Sequence, residues 1–153
     1  AIVNGRLIFD GVMHRGDKFQ ACVFANGCYY GAGYKAAPAA SFDDGLIDCC
    51  AIDKISLMTF LSILGNYKAG THLTTKGIPD VFAYKKCKNV EIIFHRPTDI
   101  SVDGEIERVE GRVKISVVKN AVTLSLPKAC QPYPTDPAVA RAAKKFNARN
   151  YNA

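Results

Sequence analysis

Two acidic turns contain the side chains of this chain that could carry out chemistry. At one of them, Glu105 directly follows Asp103-Gly104, a dipeptide that is typical of tight hairpin turns. A carboxylate held between two strands can accept the proton of a substrate hydroxyl while that hydroxyl attacks a phosphoryl group. On spacing alone, however, a glutamate after such a turn is more often a solvated strand residue, so both interpretations stay open.

The other acidic turn lies at residues 41–46, where Asp43 and Asp44 precede Gly45. A hard cation such as Mg²⁺ prefers oxygen ligands and usually keeps several waters. A turn of this kind can offer it a carboxylate together with backbone carbonyl groups. The ordinary alternative is an Asx turn, in which Asp44 accepts hydrogen bonds from backbone amides at the start of the next strand.

The remaining motifs favour structural interpretations. Gly31-Ala32-Gly33 is not a phosphate-binding loop, because the third glycine, the following helix and the lysine of such loops are missing. A bulge or a close backbone approach is the better interpretation. Residues 85–88 carry three lysines, which we interpret as an edge strand that resists aggregation rather than as a nucleic-acid site. The histidines are scattered, at His14, His72 and His95.

Length and composition predict a single globular domain. The chain has 153 residues, 48% of them hydrophobic and 22% charged, which is ordinary for a protein with its own core. Its net charge of +6 favours anionic partners, although solubility alone would also account for it.

The six cysteines form no C-x-x-C pair, so we expect free thiols in a reducing compartment rather than a zinc site. No apolar run is long enough to span a bilayer, and the missing initial Met leads us to expect a piece of a longer protein.

Alternation of apolar and polar residues predicts a mainly β fold. Val90, Ile92 and Phe94 share one face of a strand, and segments 113–117 and 122–126 repeat the pattern. Further strands are predicted near residues 5–9, 18–25, 28–34, 46–52 and 80–86. We therefore predict an antiparallel β-sandwich with one inserted helix and a C-terminal helix.

The inserted helix is predicted from its caps and its spacing. Ser56 is suited to cap a helix that runs from Leu57 to about Lys68, and Gly70 is suited to end it. Apolar residues recur at helical spacing and predict the face that covers the sandwich: Leu57, Phe60, Leu61, Leu64 and Tyr67.

The C-terminal helix is predicted in the same way. Asp136 can cap it, with Pro137 in its first turn. We expect its narrow apolar stripe to dock on this domain or on another one; the stripe consists of Val139, Ala142, Ala143 and Phe146. We divide the chain into a β-sandwich at residues 1–128 and a proline-containing linker with this basic amphipathic helix at residues 129–153.

Three segments together resemble the C-terminal domain of the lipid kinases that are similar to diacylglycerol kinase and sphingosine kinase. They are A-N-G-C-Y-Y-G-A-G from Ala25, A-P-A-A-S-F-D-D-G-L-I-D from Ala37 and V-D-G-E from Val102. The resemblance extends from about Phe19 to Pro127. Members of this family hold ATP in an α/β domain through a G-G-D-G-T-type loop, and a β-sandwich shapes the lipid site. No G-G-D-G sequence occurs in this chain, so the resemblance implies an isolated second domain that is inactive alone.

The resemblance also assigns roles to the acidic turns. Within the family, D-G-E supplies the catalytic carboxylate, which implies that Glu105 is the general base. Bacterial members hold Mg²⁺ through residues at positions i, i+3 and i+5, which implies the Asp44 side chain and the backbone carbonyls of Ser41 and Leu46. The implied activity is transfer of the γ-phosphoryl group of ATP to a diacylglycerol-like or sphingoid hydroxyl, with ATP bound mainly by the missing N-terminal domain.

Two other functions stay open. One is a non-catalytic β-sandwich that binds lipids or anionic ligands. The other is a glycosidase, which needs two carboxylates about 5 to 10 Å apart.

The expected partners are a lipid substrate, a membrane surface in peripheral contact and a second copy of the chain if an apolar face is exposed; nucleic acid is not expected. The expected location is the cytoplasm, with membrane association.

Overall fold

The computed structural model describes residues 2–78, 80–123, 125, 127 and 136–149. The strands in this part of the chain are β1 (Val3–Phe9), β2 (Val12–Met13), β3 (Lys18–Ala25), β4 (Ile47–Asp53), β5 (Phe82–Cys87), β6 (Asn89–Phe94), β7 (Thr98–Val102), β8 (Glu105–Val109) and β9 (Arg112–Ser116). The helices are α1 (Leu57–Ala69) and α2 (Pro137–Arg149). The prediction of a mainly β fold with two helices is confirmed.

The strands pair in an antiparallel manner. The large sheet has seven strands in the order β5-β4-β3-β1-β6-β9, with β2 paired to β1 outside this path. Strands β7 and β8 form a separate two-stranded sheet. Because β5 lies at the end of the large sheet, the interpretation of residues 85–87 as part of an edge strand is confirmed, whereas Lys88 follows the end of β5.

The large sheet separates two cores. Along β4, Ile47, Cys49 and Ala51 belong to what we call the first core, which also contains Leu7, Phe9, Val90 and Ile92. The alternate residues Cys50 and Ile52 belong to the second core, which also contains residues of α1, α2 and β5. Since both of its faces are covered, β4 is buried from Ile47 to Ile52 and lacks the alternating exposure of a surface strand.

Helix α1 has the predicted caps but a different buried face. The Ser56 side chain accepts a hydrogen bond from the Thr59 N–H, and Gly70 ends the helix in the left-handed conformation with φ 74°. The residues in contact with the second core are Phe60, Ile63 and Tyr67, spaced at i, i+3 and i+7. Leu57 and Leu61, which were predicted to lie on the covering face, are exposed.

Helix α2 begins as predicted. The Asp136 carboxylate accepts a hydrogen bond from the Ala138 N–H at 2.7 Å, and Pro137 occupies the first turn. Val139 and Ala143 are buried in the second core, so this helix docks on the domain itself. The side chain of Phe146 and the predicted boundary between residues 128 and 129 lie outside the described part of the chain.

Two predicted strands are not found. Residues 28–34 form turns with a single β-bridge between Tyr30 and Tyr34, because Gly31 and Gly33 adopt positive φ angles of 52° and 81°. The expected bulge or close backbone approach is not found, since a Cβ atom on Gly31 or Gly33 would meet nothing within 4 Å; the two glycines serve a turn instead. The described residues 122, 123 and 125 are not in a strand, and residues 124 and 126 lie outside the described ones.

Neither of the helices in the described ranges is long and apolar enough to cross a membrane.

A pair of glycine substitutions tests the packing of β1. A Cβ atom on Gly5 would lie 2.7 Å from the backbone oxygen of Ile93 on β6, whereas a Cβ atom on Gly65 in α1 would meet nothing within 4 Å. We expect Gly5→Ala to lower the free energy of unfolding by about 2 kcal/mol. Gly65→Ala should raise it by about 1 kcal/mol. Urea denaturation measures both values, and a Gly5→Ala protein as stable as the wild type would contradict the described β1–β6 contact.

His72 gives the domain a specific pH dependence. Its ring is buried and stacks on Phe82 with the ring centroids 4.8 Å apart, and burial lowers its pKa from 6.5 to about 4. The unfolded chain therefore binds a proton that the folded chain excludes, so stability falls as the pH decreases from about 6.5 to about 4. This group should account for about 3 kcal/mol across that window. Urea denaturation of the wild type and of His72→Phe should show a steeper decline in the wild type, and parallel curves would disprove the assignment.

Candidate functional site

Glu105 follows a two-residue hairpin turn. Val102 and Glu105 pair directly across the β7–β8 hairpin, so Asp103 and Gly104 are its two loop residues. Their φ angles are 49° and 100°, and a turn with two positive φ angles matches the twist of the strands it joins. The predicted Asp-Gly turn is confirmed, and Glu105 lies at the first position of β8.

The Glu105 carboxylate is exposed. It makes no hydrogen bond or ion pair with any residue that the structure describes. The hairpin is held at its far end instead, where Ile100 and Val109 pack against the first core. An exposed ion pair between Arg108 and Asp99, with 2.8 Å between Nη1 and Oδ1, joins the two strands. A carboxylate that is exposed and has no partner among the described residues can accept a proton from a bound hydroxyl.

The other acidic turn has an Asx conformation. The Leu46 N–H donates a hydrogen bond to Asp44 Oδ1 at 2.9 Å, as the ordinary interpretation of this turn predicts. Ser41 and Asp43 interact separately, since the Ser41 hydroxyl donates to Asp43 Oδ1 at 2.5 Å. The second oxygen of Asp44, Oδ2, lies 2.7 Å from Nζ of Lys86 on β5.

The Lys86 ammonium is surrounded by three oxygen atoms. Besides Asp44, it contacts Oδ2 of Asp48 at 3.1 Å and donates a hydrogen bond to the backbone oxygen of Ala39 at 2.8 Å. We call these three oxygens and Nζ of Lys86 the ammonium cage. It connects β5 to β4 and to the segment that precedes β4.

Tyr84 completes the contacts of Asp48. Its hydroxyl donates to Asp48 Oδ1 at 2.5 Å and accepts a hydrogen bond from the Ala39 N–H at 3.2 Å. Asp48 and Tyr84 are both buried. Burial raises the pKa of Asp48 above its usual value, although the bond from Tyr84 and the charge of Lys86 oppose this shift. For Lys86, burial lowers the pKa, but the contacts with Asp44 and Asp48 outweigh it and raise the pKa overall, so this side chain is an ammonium at neutral pH.

The residues proposed as magnesium ligands do not fit the ion in this arrangement. Mg²⁺ requires about six oxygens near 2.1 Å, yet one oxygen of Asp44 accepts an N–H and the other contacts an ammonium group. No cluster of three or more acidic, histidine or cysteine side chains suited to a metal occurs among the described residues. The assignment of Ser41, Asp44 and Leu46 to Mg²⁺ stays a prediction; of these three residues, Asp44 contacts the Lys86 ammonium group.

The two acidic turns belong to different units of the fold. Glu105 is on the separate hairpin, whereas Asp44 precedes β4, and no hydrogen bond or ion pair between the described residues joins them. Sequence reasoning missed Asp48, Tyr84 and Lys86. The sequence did contain a signal for them. One predominantly apolar strand, in residues 46–52, carries an acidic residue, and another, in residues 82–87, carries basic residues. A charge in a buried strand requires a partner, so these two strands could have been expected to pair.

Comparison with known proteins establishes the family. Residues 2–126 match the family described as the YegS C-terminal NAD kinase beta sandwich-like domain. The chain belongs to this family. The match covers the large sheet, α1 and both acidic turns. A search of curated proteins found no match.

Solved structures share the fold of this family member. A protein from Bacillus anthracis str. Sterne, described as a candidate diacylglycerol kinase, is 18% identical with a TM-score of 0.60. A diacylglycerol kinase structure from the same strain is 16% identical with a TM-score of 0.58. Each comparison covers 78% of this chain and 39% of the other. The chain therefore spans about two fifths of the length of these proteins.

Removal of the Tyr84 hydroxyl tests the buried contacts of Asp48. In Tyr84→Phe, Asp48 Oδ1 and the Ala39 N–H both lose their partner inside the protein. Each buried group then retains its desolvation cost, so we expect the free energy of unfolding to fall by about 3 kcal/mol. Tyr29→Phe is the matched control, since Tyr29 is 57% exposed and should change stability by less than about 0.5 kcal/mol. Equal urea midpoints for the two variants would rule out the described network.

Proposed function

We propose that this chain is the lipid-substrate domain of an ATP-dependent kinase and that Glu105 is its general base. The observation that carries the proposal is the exposed carboxylate of Glu105 on a two-residue turn, in a hairpin anchored by apolar contacts. Membership of the YegS C-terminal domain family supports it. A protein of similar fold is named a diacylglycerol kinase, which supports the proposal further.

The proposed reaction is phosphoryl transfer to an alcohol. The Glu105 carboxylate accepts the proton of the lipid hydroxyl as the hydroxyl oxygen forms a bond to the γ-phosphorus of ATP. The bond between that phosphorus and the β–γ bridging oxygen breaks, and ADP leaves with the electron pair. The products are a phosphorylated lipid, ADP and a proton that Glu105 passes on to solvent. The substrate is a diacylglycerol-like or sphingoid alcohol.

ATP and Mg²⁺ are assigned to a domain outside this chain. Bound there, Mg²⁺ would neutralise charge on the phosphate oxygens. This chain contains no G-G-D-G loop for the nucleotide, and its described residues offer no cluster of metal-binding side chains. We therefore expect the 153-residue chain to have no kinase activity alone.

A lipid surface is the partner that suits the exposed apolar residues. Tyr29 and Tyr30 lie on the loop before β4, and Leu57, Met58 and Leu61 lie on the first turns of α1. Each of these side chains is at least 41% exposed, and such residues can contact acyl chains. The net charge of +6 would favour an anionic membrane.

The proposal is tested in the full-length protein that carries this chain and its ATP-binding domain. ATP-dependent transfer to a panel of diacylglycerols and sphingoid bases is measured for the wild type and for Glu105→Gln. Loss of a general base should lower kcat by about 10² to 10⁴-fold. Glu107→Gln is the matched control, because Glu107 is also exposed on β8 and loses the same charge. It should retain activity within about two-fold of the wild type.

Other results would redirect the proposal. Equal activity of Glu105→Gln and the wild type would remove Glu105 from the reaction. Absence of transfer to any of these lipids by the wild type would favour a β-sandwich that binds lipids or anionic ligands without chemistry. Transfer catalysed by the 153-residue chain alone would contradict the assignment of ATP to another domain.

A further inference from the structure

The contacts of Asp44 differ from those that the family resemblance implies. The segment before β4 was expected to surround Mg²⁺, but the Asp44 carboxylate faces the Lys86 ammonium at 2.7 Å. Lys86 reaches this position from the edge strand β5, and its side chain is 22% exposed. A lysine on an edge strand ordinarily extends into solvent, so its inward orientation calls for a physical reason.

The ammonium cage provides that reason. Asp48 is fully buried, and none of the described residues donates a hydrogen bond to its Oδ2. The ionic contact with Lys86, at 3.1 Å, is therefore what compensates this oxygen. The third oxygen of the cage, the carbonyl of Ala39, lies in a buried loop segment. Without a cation, two carboxylates and a carbonyl would face one another in a partly buried site, which is costly.

A divalent ion and the lysine exclude each other from this cage. Both would require Oδ2 of Asp44 at close range, and two cations within a few ångströms repel strongly in a partly buried site. Lysine also matches the site in charge and position, because its ammonium group lies within 3.1 Å of all three cage oxygens.

We propose that Lys86 is a resident cation that replaces a divalent metal in this domain. Its ammonium group holds the segment before β4 against β4 and β5, so this chain does not take up Mg²⁺ at Asp44. Removal of the lysine side chain leaves an empty cage of three oxygens, which a hard divalent cation such as Mg²⁺ or Ca²⁺ can then enter. The proposal is independent of the kinase assignment, because it concerns cation binding and stability.

The test compares cation binding and thermal unfolding of the 153-residue wild type and of Lys86→Met. Methionine retains the apolar length of the side chain and lacks its charge. The wild type should have the same Tm in EDTA and in excess Mg²⁺ or Ca²⁺, and calorimetry should detect no saturable binding at this site. In EDTA, Lys86→Met should unfold about 10 °C lower, because it leaves carboxylates unpaired in a partly buried site. Excess Mg²⁺ or Ca²⁺ should restore at least half of that loss.

Control variants assign these effects to the cage. Lys88→Met removes an exposed lysine two residues away and keeps the Lys88 N–H that binds Asp10, so its Tm should match the wild type with and without metal. Asp44→Asn combined with Lys86→Met should abolish the stabilisation by metal. If Lys86→Met does not fold in EDTA, refolding in excess Mg²⁺ or Ca²⁺ should recover the native circular dichroism spectrum.

Three results would overturn the proposal. The first is saturable Mg²⁺ binding to the wild type that Asp44→Asn abolishes, because it would place the metal beside the lysine. The second is a Lys86→Met protein with the same Tm as Lys88→Met. The third is a destabilised Lys86→Met protein that neither Mg²⁺ nor Ca²⁺ stabilises or refolds.

Discussion

Burial of β4 on both faces is the constraint on which the rest of this domain depends. A strand covered on both faces must carry mainly small or apolar residues, and the buried part of β4, from Ile47 to Ile52, obeys this rule except at Asp48. The carboxylate of Asp48 has no access to water, so its partners must come from the protein. Tyr84 and Lys86 supply them from β5, the neighbouring strand. One acidic residue thus determines the identity of two residues on the edge strand.

The same contacts fix the segment that leads into β4. Ala36, Ala37, Ala39 and Ala40 are all buried there, and small side chains let the backbone approach the second core closely. A buried backbone needs partners for its polar groups. At Ala39 these are again Tyr84, which accepts from the N–H, and Lys86, which donates to the carbonyl oxygen. The ammonium cage therefore holds a loop in place as well as compensating a buried charge.

The sequence predicted the features that depend on local chemistry. The Asp103-Gly104 turn, the caps at Ser56, Gly70 and Asp136, and most strands follow from residues close together in the chain. Family resemblance, rather than pattern, directed attention to Glu105 and to the segment before β4. Residues 28–34 were wrongly predicted to form a strand. The tyrosines in this segment favour a strand, but Gly31 and Gly33 adopt positive φ angles that form turns instead.

The ammonium cage could not be predicted in this way. Asp48 and Lys86 are 38 positions apart in the sequence, and they meet because β4 and β5 pair in a register that places them opposite each other. A register shift of one residue would move Lys86 to the other face of the sheet. The three lysines of residues 85–88 look alike in the sequence, and this register decides which of them turns inward.

Glu105 is positioned by a different physical principle from the one that positions Lys86. Polar contacts hold Lys86, whereas the hairpin with Glu105 is held by apolar contacts of Ile100 and Val109 with the first core. A two-stranded hairpin alone is marginally stable in water, so these contacts set the orientation of the whole hairpin. The carboxylate at its tip then needs no hydrogen bond of its own to be placed. A carboxylate positioned in this way has its oxygens free, as the role proposed for Glu105 requires, whereas both oxygens of Asp48 already contact Tyr84 and Lys86.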